Sequence, residues 1–269
     1  KGEKGRMSIS YSGSFSTSTK ISYDKMNLMN SKERVDFSRE IYETGGLFEE
    51  QSLGYLYYAM KYKLREISLE DFSREVKKME AANTNWFDLL FRNPFSHSHS
   101  ISISGGSNRA SFRASFGYSD VKNTAIGNGK TSYTGNLSTS ATFWDRLVTS
   151  FTLSGSMNKT TAFGITDPYN YASKTSRAIS CYDEKGEYVF YPVNGYKYNY
   201  LHEQRNSGNE NTVYSVNSSL NIRFNIWDEL VFQTLFGFNF SSTHGEIYFS
   251  EHTNRITQIR GYEYHTIDP

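Results

Sequence analysis

Several absences narrow this sequence before any feature does. A single cysteine, Cys181, in 269 residues excludes an intrachain disulfide framework and a multi-cysteine zinc site. Lys and Arg number 29 against 28 Asp and Glu, so the basic footprint of a nucleic-acid binder and a polybasic membrane patch are both missing. No run approaches the roughly 18 apolar residues that a transmembrane helix needs. That excludes helical spans and says nothing against strands. The chain opens on Lys1 with no charged-then-apolar leader, as expected of a mature or excised stretch. Catalytic signatures are lacking too. There is no Gly-x-Ser-x-Gly elbow, Gly127-Asn128-Gly129 reads as a turn rather than a phosphate loop, and carboxylates lie without acid–base spacing. The expectation is a protein that is not an enzyme and uses no cofactor.

What is present is aromatic and alternating. Tyr and Phe number 21 and 19, and aromatics make up 16% of the chain, although its mean hydropathy is only -0.62. A membrane β-barrel reconciles the two, because its strands show apolar residues to lipid at every second position and face a wet lumen with the rest. From Met7 to Ser16 one face is Met, Ile, Tyr, Gly and Phe and the other is all Ser. Six further stripes follow: Ile101–Ile103 opposite Ser98–Ser104, then 110–118, 133–143, 147–157, 214–226 and 230–240. The last is the most apolar, with Leu230, Phe232, Phe236, Phe238 and Phe240 on one side and Gln233 and Asn239 on the other. Alternation alone also fits a soluble antiparallel sandwich with one wet face.

Connection lengths separate the two. Gly105-Gly106-Ser107-Asn108 predicts a tight turn of residues that tolerate positive φ. The near copies Phe143-Trp144-Asp145-Arg146-Leu147 and Ile226-Trp227-Asp228-Glu229-Leu230 predict two more. The other connections, roughly 24–94, 119–131 and 158–212, are long. Strict alternation of short and long is the rule of outer-membrane barrels, with short periplasmic turns and long extracellular loops, and it sets Trp144 and Trp227 at the periplasmic interface. Within 24–94, Asn30-Ser31-Lys32-Glu33 predicts a capped helix to about Tyr42. Ser52 and Ser68 are expected to cap two more, with Leu53, Leu56, Tyr57, Met60 and Leu64, then Phe72, Val76 and Met79, at helical spacing. Those stripes read as packing.

Asn83-Thr84-Asn85-Trp86-Phe87-Asp88-Leu89-Leu90-Phe91-Arg92, followed by His97 to Gly106, resembles a signature of the SusC/RagA-type TonB-dependent transporters. So do Ala114 to Tyr118, Asn30 to Val35 and Asp167 to Ala172, in the family's order, while Lys1 to Arg6 resembles the passage from plug to first barrel strand. The resemblance implies an all-β fold: an antiparallel transmembrane β-barrel segment, about seven or eight of 22 strands, over residues 1–269, with a helical extracellular loop at 24–94 and a Tyr-rich one at 158–212. It implies residence in the outer membrane and TonB-dependent import of nutrients, with oligosaccharides (glycans) the expected substrate and peptides the less frequent one. A SusD-like surface lipoprotein is the implied lid, and TonB would act through a plug. No stretch matches the plug or the TonB-contacting box, so the chain is expected to supply the first third of such a barrel. The alternative is a surface β-protein that binds carbohydrate or a partner without transport.

Candidate contacts follow. Loop 158–212 concentrates Tyr169, Tyr171, Tyr191, Tyr196, Tyr198 and Tyr200, flat apolar faces with a hydroxyl, suited to stacking sugars or gripping a partner. With Trp86 they are the expected ligand or lid contacts, and self-packing within the loop is the competing role. His97 and His99 lie on one strand face at a spacing able to share a metal. No third ligand is near in sequence, so a girdle or lumen role is expected and no metal site is assigned.

Overall fold

A computed structural model describes residues 7–46, 53–163, 167–193 and 195–264. The chain divides into two compact units, one of residues 1–19, 93–162 and 209–246 and one of residues 20–92, 163–208 and 247–269.

The first unit is an antiparallel sheet. Strands β1 (Ser8–Thr17), β2 (Phe95–Gly106), β3 (Ala110–Lys122), β4 (Gly129–Phe143) and β5 (Leu147–Ala162) are followed in the sheet by β8 (Ser207–Trp227) and β9 (Leu230–Phe249). Strands lie in the order β1-β2-β3-β4-β5-β8-β9, so each pairs with the next of the seven along the chain. All seven expected strands are present, and the fold is all-β and barrel-like in part.

Register keeps like with like. Ser10 pairs Ser102, Ser102 pairs Ser115, and Thr152 pairs Ser219. On the other face Ile103 pairs Ala114, Ala114 pairs Leu137, and Leu137 pairs Leu153. A one-residue slip would exchange the faces wholesale, which is why the register is so strongly specified. Hydroxyls bond across the polar face: Ser10 to Ser102 at 2.7 Å, Ser14 to Ser98 at 2.8 Å, Thr152 to Ser219 at 2.6 Å and Ser156 to Ser215 at 2.7 Å.

The strands run further than the alternation predicts, which shortens the connections. Residues 119–122 and 129–131 belong to β3 and β4, leaving a turn of 123–128 where a loop of 119–131 was expected. Gly105 and Gly106 lie inside β2, and neither has positive φ. Gly106 is instead required by close approach, since a Cβ there would stand 2.5 Å from the Ala110 carbonyl oxygen. Positive φ falls on Trp144 (51°) and Asp145 (56°), with the Arg146 N–H donating to the Phe143 carbonyl at 3.1 Å, the geometry of a type I′ turn. The related sequence at Trp227 closes over only Asp228 and Glu229, without positive φ.

The second unit is mainly helical. Helices α1 (Ser31–Glu43), α2 (Tyr55–Lys63), α3 (Leu69–Ala82) and α4 (Trp86–Leu90) precede β2, after a 3-10 turn at Tyr23–Lys25. Asn30 and Glu33 form the expected capping box, and Ser68 caps α3. The N-cap of α2 is Gly54; Ser52 lies outside the described residues. Val35, Tyr55, Ala59 and Val76 form the core of the first three helices, with Leu56, Phe72 and Met79 against it. Arg39 bridges Asp36 and Glu80, each at 2.9 Å, tying α1 to α3. The segment expected as a long Tyr-rich loop carries α5 (Pro168–Lys174), a hairpin of β6 (Tyr191–Val193) and β7 (Tyr196–Tyr198), and α6 (Tyr200–Arg205). Helix α7 (Asn254–Tyr264) follows β9.

Candidate functional site

Each unit carries one candidate surface. In the first unit the notable fact is what its apolar face does not touch. Among the described residues, every buried apolar side chain belongs to the second unit. Ile9 is 64% exposed, Phe116 52% and Phe236 60%, so this face has no protein packed on it. Contiguous apolar surface of this extent is unstable against water.

Cross-strand rows give the face a layered order. At the hairpin end Phe143 pairs Leu147, which pairs Phe224. Leu137 and Leu153 lie midway. Near the other end Tyr118 pairs Tyr133, which pairs Met157, which pairs Tyr214. One step beyond, His97, Asp120, Thr131 and Lys159 form a polar row in the same way. The apolar stretch therefore runs from Leu147 to Met157 along β5. Ten residue-to-residue steps at about 3.3 Å each make about 33 Å of strand, or about 25 Å of depth at a barrel tilt of about 40°. That equals the apolar band of an outer-membrane barrel, about 25 Å tall and edged by aromatics.

His97 and His99 sit at that edge, on the apolar face. The Tyr11 hydroxyl and His99 Nδ1 are 2.6 Å apart, Phe15 stands edge-on to His99, and His97 Nε2 is 3.9 Å from Asp120. Among the described residues no three His, Cys, Asp or Glu side chains group as a metal site. The polar face, by contrast, carries Arg113, Lys130 and Arg223 among its Ser, Thr and Asn, and no carboxylate from β1 to β8.

The second unit holds all seven predicted contact residues: Trp86 and Tyr200 are buried, Tyr171, Tyr191 and Tyr198 are half-buried and line a cavity, Tyr196 is half-buried and Tyr169 is exposed. Trp86 is 1% exposed, and its indole N–H donates to the Ser176 carbonyl at 3.1 Å. Tyr171 stands edge-on to Trp86 at 5.3 Å and stacks on Tyr200 at 4.1 Å. Its hydroxyl bonds that of Tyr191, and Tyr191 meets Tyr198 at 5.5 Å. Burial pushes the Tyr171 and Tyr200 phenols well above their ordinary values, with Tyr191 adding to the effect at Tyr171. Both stay neutral. Tyr169 is exposed, its ring 6.2 Å from Phe87, and Tyr196 stands in β7 opposite Val193. Two stretches far apart in sequence, 83–92 and 167–172, thus meet here. Thr84 bonds Arg177 and Ile179 through backbone and hydroxyl, and Tyr23 packs between Phe87 and the Arg177 guanidinium while donating to Ala172 O at 3.0 Å.

Beside this aromatic core lies an open cavity of about 1290 Å³. One wall is α1 to α3, with Phe37, Ile41, Leu56 and Tyr57; the other is the α5-to-β7 segment, with Phe190 and Val193. Sequence reasoning missed this cavity because no single stretch contains it.

It also missed a buried polar hub. The Asn199 amide donates to the carbonyls of Cys181 (3.0 Å) and Val189 (2.9 Å), and its oxygen accepts from the N–H groups of Leu201 and His202. Glu203, 3% exposed, accepts from the Asn254 N–H at 2.8 Å, which fastens α7 to α6. Burial holds the Glu203 carboxyl above its usual range, partly offset by Asn254 and His202. The available signal was Asn199 as a helix cap, hidden among tyrosines.

Solved structures share this fold. This chain superposes on the RagAB peptide importer in its closed-closed state with a TM-score of 0.68 at 18% identity. In fold, the chain is similar to part of RagAB. A structure of the RagAB peptide transporter gives the same figures, and the open-open state gives 0.66 at 19%. Each match covers 91% of this chain and 29% of the other, so the chain spans under a third of those chains. No family model matches the sequence. No curated protein matches it either.

Proposed function

We propose that this chain builds part of the wall and the cap of an outer-membrane β-barrel that imports oligomeric nutrients, peptides or oligosaccharides, and that it performs no catalysis. The observation that carries the reading is the uncovered apolar face of the first unit. A soluble sheet would bury such a face, whereas lipid is the solvent in which it is stable. The polar face, with its hydroxyl ladders, then lines water. The likeness in fold to the RagAB peptide importer supports an import role, and the sequence resemblance to SusC/RagA-type transporters points the same way.

In this reading a SusD-like lipoprotein closes over the cap, and TonB drives import through a plug that packs against the polar face. Edge strands β1 and β9 pair with further strands, since unpaired backbone groups in lipid cost several kcal/mol each. The test is uptake. Cells with and without the gene receive labelled peptide and oligosaccharide mixtures, with and without a protonophore. Loss of protonophore-sensitive uptake of one class in the deletion strain is expected. Unchanged uptake of both classes would contradict import and leave a surface-binding protein.

A further inference from the structure

Two glycines stand side by side on the apolar face of the sheet. Gly135 in β4 pairs Gly155 in β5, between Phe116 on one side and Val216 on the other. Glycine weakens a strand interior, and where it persists it marks a bulge, a bend or a place of close approach. The ladder runs through this pair without a bulge, and neither residue has positive φ. Yet nothing in the chain makes the approach. Among the described residues, a Cβ on Gly135 would meet no atom within 4 Å, and one on Gly155 only the Ser215 carbonyl oxygen at 3.9 Å. At Gly105, by contrast, the Phe112 ring stands 3.1 Å from the added Cβ. The pair therefore opens a notch, part of a cavity of about 380 Å³ lined also by Leu137, Leu153 and Val216.

Its place on the strands says what fits. Four residues separate Gly155 from Lys159 in the polar row, about 13 Å of strand and about 10 Å of depth at barrel tilt. The aromatic row of Tyr118, Tyr133 and Tyr214 lies between, so the notch sits just inside the apolar band. It is one side-chain row wide, about 7 Å along the strand. That is too narrow for a helix about 10–12 Å across and open to an extended hydrocarbon chain. The rows beyond it carry charges in balance. Lys122 and Lys159 stand with Asp120 and Glu210, and His97 lies 3.9 Å from Asp120. Lys159 Nζ is 2.6 Å from Glu210, and the Thr131 hydroxyl donates to Asp120 at 3.0 Å. A head group bearing both a phosphate and an ammonium finds a partner for each. A purely anionic head group would meet the two carboxylates as well.

We propose that the notch of Gly135 and Gly155 is a lipid site, holding one acyl chain of a zwitterionic phospholipid whose head group lies over Thr131 and Lys159. The inference rests on the reading that this face meets lipid, and its test separates the two. The intact protein is extracted from outer membranes in mild detergent, and the lipid that stays with it is identified by mass spectrometry. Phosphatidylethanolamine is expected to be retained above its share of the membrane. Retention should fall at least about tenfold in the Gly135→Val, Gly155→Val double variant, the loss of about two buried methylenes. Open space around both Cβ positions and the strand preference of Val keep the variant assembled, which heat-modifiable mobility checks. Phosphatidylethanolamine with a diazirine in its acyl chain gives a readout that needs no variant: crosslinks should map to 133–137, 153–157 or 214–218. Equal retention in the variant, crosslinks spread evenly over the apolar face, or enrichment of phosphatidylglycerol or lipid A instead would each overturn the proposal and leave the membrane reading intact. Absence of the protein from outer membranes would overturn both.

Discussion

Replacing Leu153 with Arg, beside a Ser154→Arg control, exposes the sidedness of the sheet. The two positions are adjacent on β5 but point to opposite faces. Leu153 pairs Leu137 on the apolar face, and Ser154 pairs Asn136 on the polar one. Six residues separate Leu153 from the Leu147 row, about 20 Å of strand and about 15 Å of depth at barrel tilt, so it lies near the middle of the band. Arg at that depth costs about 2–4 kcal/mol on a lipid-facing position and little on a wet lumen wall. At about 1.4 kcal/mol per tenfold, the insertion equilibrium of Leu153→Arg should fall by about 30- to 1,000-fold. The assay is the amount of heat-modifiable, protease-resistant protein in outer-membrane fractions. Leu153→Arg should be nearly absent and Ser154→Arg close to wild type. Equal tolerance, or the reverse order, would refute the assignment of faces.

Three further outcomes follow from particular contacts. Trp86→Ala should destabilise the second unit by about 3–5 kcal/mol, as removal of a buried Trp does, read as proteolysis within 20–92 while the strands stay protected. Gly106→Val should impair assembly more than Gly105→Val, because a Cβ at 106 meets backbone at 2.5 Å whereas at 105 it meets the Phe112 side chain at 3.1 Å. Glu203 has its folded pKa raised by burial, so its contribution to stability is fully present below the unfolded value near 4.5 and is lost as pH rises through the folded value. Protection factors at Asn254 to Thr257, with exchange corrected for its intrinsic base catalysis, should therefore fall with pH in the wild type and stay flatter in Glu203→Gln, which keeps an acceptor for the Asn254 N–H without the buried charge. Identical pH profiles would remove the buried carboxylate as the cause.

How much of this was legible in the sequence depended on the range of the interactions. Strands were readable because alternation is local: the Ser row of β1 and the Phe row of β9 announce their faces residue by residue. Strand ends were not, since Asp120 and Thr131 are held in the ladder by a cross-strand hydrogen bond at 3.0 Å that composition does not reveal. The capped helices at Asn30 and Ser68 were visible, whereas α5 and α6, capped by Asp167 and Asn199, were obscured by tyrosine-rich surroundings and α7 lay past the last stripe. The candidate site was half legible. Trp86 and the tyrosines do come together, but pattern could not tell a stacked core from a binding face. That distinction lies in burial, set by contacts across some ninety residues, as between Trp86 and Ser176.

The central claim is that alternate residues of one sheet meet lipid and water. Nitroxide labels placed singly at 147–157 of the intact protein in its membrane, read for collision with oxygen and with a water-soluble nickel chelate, test it directly. Oxygen accessibility should peak at 149, 151 and 153 and chelate accessibility at 150, 152 and 154, with the lipid signal deepest near 153. Collision rates without a two-residue period, or with oxygen and chelate maxima exchanged between the two sets, would contradict the account.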